Sequence, residues 1–275
     1  MKQNKISGLF DLTDKNIVIT GSAGLLGSQY AYTLSEAGAN VILIDVNERE
    51  NTKLEKFLKQ KFHTEAKSYT GDISKKSELV EMKRKILDDF KTVYGLVNNA
   101  AYTAKGSRKE SVKYASSFEE FPFELWTKSI DINLTGVFLC CQEFGKIMLK
   151  QKNGVIVNIS STYGLVGSDQ RIYGETKLNT PISYASTKGA IVNLTRYLAA
   201  YWHGKNIRVN TLTPGGVIDE SYQSKKFIKK YSEKTILGRM ARSDEYNGAL
   251  LFLMSDASSY MTGANLVIDG GWTAW

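Results

Sequence analysis

Asn16-Ile17-Val18-Ile19-Thr20-Gly21-Ser22-Ala23-Gly24-Leu25-Leu26-Gly27, followed by the helix-forming run Ser28 to Ala37, is the stretch that decides the fold. Its first five residues are mostly apolar and rich in β-branched side chains, the composition of a buried strand. Glycines then turn the chain into a helix. Glycine lets a backbone come close to a ligand, and the N–H groups at a helix start attract negative charge, so strand, glycine turn and helix together describe a pyrophosphate cradle. A glycine turn alone is a weak signal. The next apolar run, Val41 to Ile44, strengthens it by ending in Asp45, 21 residues beyond Gly24. In a dinucleotide fold, a carboxylate at that place receives the adenosine ribose hydroxyls, and its charge repels a 2′-phosphate. The expectation is NAD(H) in preference to NADP(H), softened by Arg49 and Lys53 close by; the alternative, that Asp45 merely ends a strand, stays open.

Outward from this stretch, runs at 16–20, 41–45, 66–70, 93–98, 154–160, 207–211 and 265–269 read as strands that alternate with helical segments. Strands separated by helices imply an α/β protein with a doubly wound parallel sheet of about seven strands. A chain of 275 residues with 42% hydrophobic content buries one full core. With 3 prolines and no linker or repeat, residues 1–275 read as a single domain. Met1 to Lys15 is polar, and no run approaches membrane-spanning length, so a cytoplasmic protein with no membrane partner is expected.

A second stretch carries the chemistry. Tyr184-Ala185-Ser186-Thr187-Lys188 sets a phenol and an ammonium on one helix face, and the strand Val155 to Ile159 delivers Ser160-Ser161 nearby. A cation beside a phenol favours the phenolate, whose ordinary pKa is near 10, and makes Tyr184 an acid/base at neutral pH. Taken alone, such a pair is most often a surface pair.

From about Leu9 to Gly271, several separated motifs resemble, in the expected order, those of the short-chain dehydrogenases/reductases in their single-domain, Rossmann-type branch. Asp72-Ile73 matches the pair flanking the adenine, and Asn98-Asn99-Ala100-Ala101 matches the strand-end motif under the cofactor. Asn133 matches the asparagine that holds a water beside the lysine, and Ser161, Tyr184 and Lys188 match the catalytic trio. Pro214-Gly215 with Val217 matches the segment meeting the nicotinamide carboxamide; Tyr260-Met261-Thr262-Gly263 and Asp269-Gly270-Gly271 match the closing strand. The resemblance implies a catalytic set of Asn133, Ser161, Tyr184 and Lys188. It implies cofactor contacts from Gly21, Ser22, Ala23, Gly24, Leu26, Gly27, Asp45, Asp72, Ile73, Asn98, Ala100, Pro214, Gly215 and Val217, with Tyr184 and Lys188. In the mechanism it implies, Tyr184 exchanges a proton with the substrate oxygen during hydride transfer, Ser161 binds that oxygen, and Lys188 bonds the nicotinamide ribose and lowers the pKa of Tyr184. Three departures stand out: Leu25 occupies a place usually held by glycine, a spacing closer to the sugar-nucleotide-modifying branch; Ala101 replaces a glycine; and Asp219 stands where a threonine often touches the cofactor amide.

The net charge of +8, from 36 Lys+Arg against 28 Asp+Glu, comes without any nucleic-acid-binding motif and reads as a solvated face. Within the resemblance, the connections near 102–120 and 168–181 are longer than usual and follow strands at the carboxyl edge, where ligands bind. They carry Lys105, Arg108, Lys109, Lys113, Arg171 and Lys177. An anionic small-molecule substrate is therefore expected, such as a sugar phosphate or nucleotide sugar, in line with the chain's similarity to bacterial flagellin-modification and glycan-pathway members. Residues 217–239 read as a substrate lid. The helices about Phe123 to Lys150 and Ile182 to Tyr201 are those the family pairs, which implies a homodimer or homotetramer. A ketoreductase of acyl or other small carbonyls, an NAD-retaining epimerase or dehydratase, and a non-catalytic dinucleotide sensor stay open. The adjacent Cys140 and Cys141 read as buried small hydrophobes of a reducing compartment, and His63 and His203 suggest no metal site.

Overall fold

The computed structural model describes residues 6–103, 108–176 and 178–275. Seven strands form one parallel sheet in the order β3-β2-β1-β4-β5-β6-β7. They are β1 (Asn16–Thr20), β2 (Asn40–Asp45), β3 (Ala66–Thr70), β4 (Gly95–Asn98), β5 (Gly154–Ile159), β6 (Ile207–Pro214) and β7 (Asn265–Ile268). The helices in chain order are α1 (Leu25–Glu36), α2 (Glu48–Lys61), α3 (Lys76–Phe90), α4 (Arg108–Tyr114), α5 (Phe123–Ile130), α6 (Gly136–Gln151), α7 (Ile182–Tyr201), α8 (Lys225–Ser232) and α9 (Asn247–Met254).

The central strands are buried on both faces, and successive side chains serve opposite layers. Val18, Ile42, Leu96, Ile156 and Val209 pack with Phe144 and Met148 of α6 and Ile191 of α7. Ile17, Ile19, Leu43, Val97 and Val157 pack with Tyr30 and Leu34 of α1 and Leu250 and Leu253 of α9. Strand order reverses between β1 and β4, and their register aligns Thr20 with both Ile44 and Asn98. The crevice beyond these strand ends is where an open α/β sheet takes its ligands.

Several boundaries shift from the sequence reading by a residue or two, β4 beginning at Gly95 rather than 93; two differences bear on the site. β6 runs on to Pro214, because Leu212 to Pro214 still pair with β7. The single helix expected over Phe123 to Lys150 is instead α5, a π-helical turn at Asp131–Thr135, and α6. Asn133 sits in that wider turn, fully buried.

A buried polar chain crosses the layers. Asn98 Nδ2 donates to Asn158 Oδ1 (2.8 Å), Asn158 Nδ2 donates to Thr195 Oγ1 (2.9 Å), and Thr211 Oγ1 donates to Thr195 Oγ1 (2.8 Å). It ties β4, β5, α7 and β6 together. Cys140 and Cys141 are buried on α6, and burial pushes the Cys141 thiol up to about 12. Both histidines are exposed, and among the described residues there is no metal-ligating cluster and no helix long and apolar enough to cross a membrane. Residues 1–5 of the polar N-terminal stretch lie outside the described residues.

Candidate active site

A cleft of about 610 Å³ runs along the carboxyl ends of the strands from the glycine turn to Tyr184 and Lys188. At its first end, Gly21 has φ +63°, and a Cβ there would stand 2.7 Å from Ala100 Cα. Gly27 is tighter still, since a Cβ would meet the Gly21 carbonyl at 2.1 Å. Leu25 takes the first position of α1 without a positive φ and half-exposes its side chain to the cleft, so no glycine is required there. Asp45 braces the turn by accepting from the Ala23 N–H at 3.0 Å, while its other oxygen accepts from Asn47 (2.9 Å). Lys53 is paired with Glu50 at 2.7 Å, Arg49 lies 3.8 Å from the same carboxylate, and neither lines the cleft.

The residues expected to touch a cofactor divide into lining and support. Gly21, Gly24, Leu26, Asp45, Asp72, Ile73, Ala100, Pro214, Gly215 and Val217 line the cleft. Ser22, Ala23, Gly27 and Asn98 do not. Ser22 is buried and donates to Asn51 Oδ1 (2.7 Å), which fastens the turn to α2. Asn98 points into the core as the first member of the buried polar chain, and Asn99 takes the cleft side in its place. The Asn99 amide donates to the carbonyls of Thr20 (3.1 Å) and Gly21 (3.0 Å), holding the glycine turn from below. Alternation at a strand end is the signal that separates the two asparagines.

At the other end, Ser161, Tyr184 and Lys188 come together from β5 and α7. Ser161 follows the strand and hydrogen-bonds Tyr184, whose ring centroid lies 5.7 Å from Lys188 Nζ. Lys188 is buried, donates to the Ile159 carbonyl at 2.7 Å, and is brought down to about 8 by loss of hydration. Tyr184 moves the opposite way from the sequence expectation. Burial raises its pKa, and the Ser161 hydrogen bond only partly offsets this, because removal from water disfavours the phenolate more than that one donor supports it. Asn133 accepts from the Tyr102 N–H (2.6 Å) and its amide faces the Thr187 hydroxyl (3.5 Å), so its side chain spans the cleft floor and α7.

Among the described residues, both long connections reach the cleft through Tyr102, Thr103 and Tyr173. Lys105 and Lys177, and the side chains of Arg108 and Lys109, lie outside the described residues. Lys113 is exposed away from the lining, and Arg171 is held by Asp169 through two hydrogen bonds (2.7 and 2.8 Å). The segment 217–239 supplies Val217, Asp219, Gln223, Phe227 and Tyr231. Tyr231 stacks on Trp272 at 4.2 Å and accepts from the Gly216 N–H at 2.7 Å, so Trp272 packs within its own chain. No motif singles out Tyr163; Tyr173 falls within the expected 168–181 connection, and Gln223, Phe227 and Tyr231 within the expected 217–239 segment, without any motif to mark them individually.

A short-chain dehydrogenase family model, described as enoyl-(acyl carrier protein) reductase, matches residues 21–273. The NAD-dependent glycerol dehydrogenase of Listeria innocua is 32% identical over 268 residues, covering 96% of each chain. The post-translational flagellin modification protein A of Campylobacter coli is 31% identical over 261 residues, 95% of this chain and 99% of that one. A crystal structure of a gluconate 5-dehydrogenase from Burkholderia cenocepacia, in complex with NADP and tartrate, superposes with a TM-score of 0.85 at 27% identity, covering 98% of this chain and 100% of the other.

Proposed function

The chain belongs to the short-chain dehydrogenase/reductase family, and on that premise we propose that it is an NAD-dependent oxidoreductase of a small polyhydroxy alcohol or the matching ketone. The convergence of Ser161, Tyr184 and Lys188 at the end of a cleft that begins at the glycine turn carries this reading.

The residues present fit a dinucleotide. Gly21 and Gly27 leave no room for a Cβ where the backbone must lie flat, the start of α1 faces the cleft, and Asp45 stands where a ribose diol binds. Gly21, Gly24 and Leu26 would hold the pyrophosphate, Asp72 and Ile73 the adenine, and Pro214, Gly215 and Val217 the carboxamide. The nicotinamide, when bound, supplies or accepts the hydride. Asp45, with Lys53 and Arg49 turned toward Glu50, supports NAD over NADP.

Tyr184 holds the proton at its phenolic oxygen and passes it to or from the substrate oxygen. Its burial keeps the phenol protonated in the resting site, the form needed to donate to a carbonyl. Ser161 hydrogen-bonds the same oxygen and holds it against Tyr184. Lys188 places a positive charge under the phenol and lowers the cost of phenolate when a proton leaves. Asn133 positions Thr187 and the backbone of Tyr102 beside this group. The relative named as a glycerol dehydrogenase and the one in complex with tartrate support small oxygen-rich substrates, as do the hydroxyl-bearing tyrosines of the wall.

Nicotinamide absorbance with a panel of polyols, ketoses, sugar phosphates and acyl thioesters tests the reading. Tyr184→Phe is expected to lose at least about 100-fold in kcat while NADH binding is retained. Equal turnover by Tyr184→Phe and the parent protein would falsify the assignment of the proton to Tyr184.

A further inference from the structure

Pro214-Gly215-Gly216-Val217 lines the cleft at its Tyr184 end, and two successive glycines make the peptide between them the easiest in the segment to rotate. Close neighbours account for both glycines. A Cβ on Gly215 would stand 2.7 Å from Asp269 Cα, and one on Gly216 would stand 2.4 Å from Tyr231 Cζ. A cavity of about 130 Å³, lined in part by Gly215, Gly216, Tyr231 and Tyr246, lies against the same peptide and leaves it room to turn. Two tyrosine hydroxyls hold it instead. The Tyr231 hydroxyl accepts from the Gly216 N–H at 2.7 Å, and the Tyr246 hydroxyl donates to the Gly215 carbonyl at 3.1 Å. In a trans peptide the carbonyl and the N–H point in opposite directions, so the two phenols grip one plane by its opposite edges. The remaining groups of the glycine pair bond to backbone: the Gly215 N–H donates to the Ile268 carbonyl (2.8 Å), and the Gly216 carbonyl accepts from the Ala241 N–H (3.0 Å).

Both phenols are themselves fixed. Tyr246 is fully buried at the N-cap of α9, and Tyr231, on α8, is buried against Trp272 and also hydrogen-bonds Thr162, the neighbour of Ser161. Resting on the functional reading above, we propose that Tyr231 and Tyr246 are positioning residues that lock the Gly215–Gly216 peptide in the orientation the nicotinamide carboxamide requires. They act through that peptide: with its plane fixed, Pro214 and Val217 on either side present a single geometry to the carboxamide. The adenine, ribose and pyrophosphate fall to the glycine turn, Asp45 and Asp72 at the other end of the cleft, so the influence of the two phenols is confined to the nicotinamide half.

The test measures the Kd of NADH and of ADP-ribose, which lacks only the nicotinamide, by titration calorimetry in the parent protein, Tyr231→Phe and Tyr246→Phe. Both substitutions keep the ring and its packing and remove one hydroxyl. Each leaves a buried backbone group without its partner, which turns the peptide away from its bound orientation; with that orientation held about a tenth of the time, the Kd of NADH should rise about tenfold. The Kd of ADP-ribose should stay within about twofold, because contacts at the far end of the cleft are independent of this peptide. Weakening of NADH and ADP-ribose in parallel would show a merely structural role, and an unchanged NADH affinity would show that the peptide needs no lock; either result overturns the proposal. Because the two phenols hold the same peptide, either variant alone supports the comparison should the other fail to fold. Indifference of turnover to Tyr184→Phe instead refutes the functional reading alone, since comparing NADH with ADP-ribose requires no substrate.

Discussion

Replacing Lys188 by Met is expected to abolish turnover and, near neutral pH, to stabilise the fold. Lys188 is almost fully buried, with one hydrogen bond to the Ile159 carbonyl, and its pKa falls from 10.5 to about 8 through loss of hydration. That difference corresponds to roughly 3 kcal/mol of cost carried by the folded state wherever the amine is charged in both states. Methionine fills a similar volume without the charge. It leaves the Ile159 carbonyl without its donor, at about 1–3 kcal/mol, so the net gain near pH 7 is about 1 kcal/mol. The sign depends on pH. Below about 8, Lys188 is protonated in both states and the full cost applies; between about 8 and 10.5 the unfolded chain binds more protons, so the parent protein gains stability as pH rises. Above that window only the lost hydrogen bond remains, and Lys188→Met becomes the less stable protein. Urea unfolding of both proteins across this range reads the difference, in which all other titrating groups cancel. A variant less stable by one constant margin at every pH would refute the reasoning, since Lys188 would then carry no desolvation cost.

Two further outcomes follow from the glycine turn. Gly27→Ala forces a Cβ to within 2.1 Å of the Gly21 carbonyl, backbone against backbone; NADH binding by fluorescence titration should weaken at least about tenfold, and stability should fall by about 2 kcal/mol. Gly248→Ala, on α9 with no atom within 4 Å of the new Cβ, is the matched control and should be neutral or stabilising by about 0.5–1 kcal/mol. Asp45→Asn keeps an acceptor for the Ala23 N–H but removes the charge, so the NADP-to-NAD ratio of kcat/KM should rise about tenfold; an unchanged ratio would show that Asp45 does not set cofactor choice.

The sheet was legible because strands buried on both faces are written as continuous apolar runs, with Asp45 marking the end of β2. The π turn at Asp131–Thr135 was not, because apolar residues continue through it on both sides and one extra residue leaves no compositional mark. In the site, Ser161, Tyr184 and Lys188 were found because the chemistry needs those residue types at short spacing. The walls were hidden because Tyr163, Tyr173, Phe227 and Tyr231 meet only when the 168–181 connection, α8 and the C-terminal segment pack on one another. Spacing also names neighbours without their hydration: it paired Tyr184 with Lys188 correctly, yet gave the wrong direction for the Tyr184 pKa. A cation in sequence likewise does not say which carboxylate it will pair with, as Arg171 with Asp169 shows.

The buried chain through Asn98, Asn158, Thr195 and Thr211 sets an angle as well as a register. Thr195 lies seven residues beyond Lys188 on α7, on the same face and about 10 Å further along the axis, and that face is buried at Thr187, Lys188, Ile191 and Thr195. Hydrophobic packing alone lets a helix roll by some degrees on a sheet at little cost, whereas a hydroxyl held between Asn158 and Thr211 tolerates no such roll. The aim of Tyr184 and Lys188 is thus calibrated from a distance, like a rifle sighted from its stock, by side chains that never meet a ligand. Inherited changes that leave every cleft residue intact, but alter this interior polar relay, would degrade turnover through pointing error rather than through loss of any reacting group.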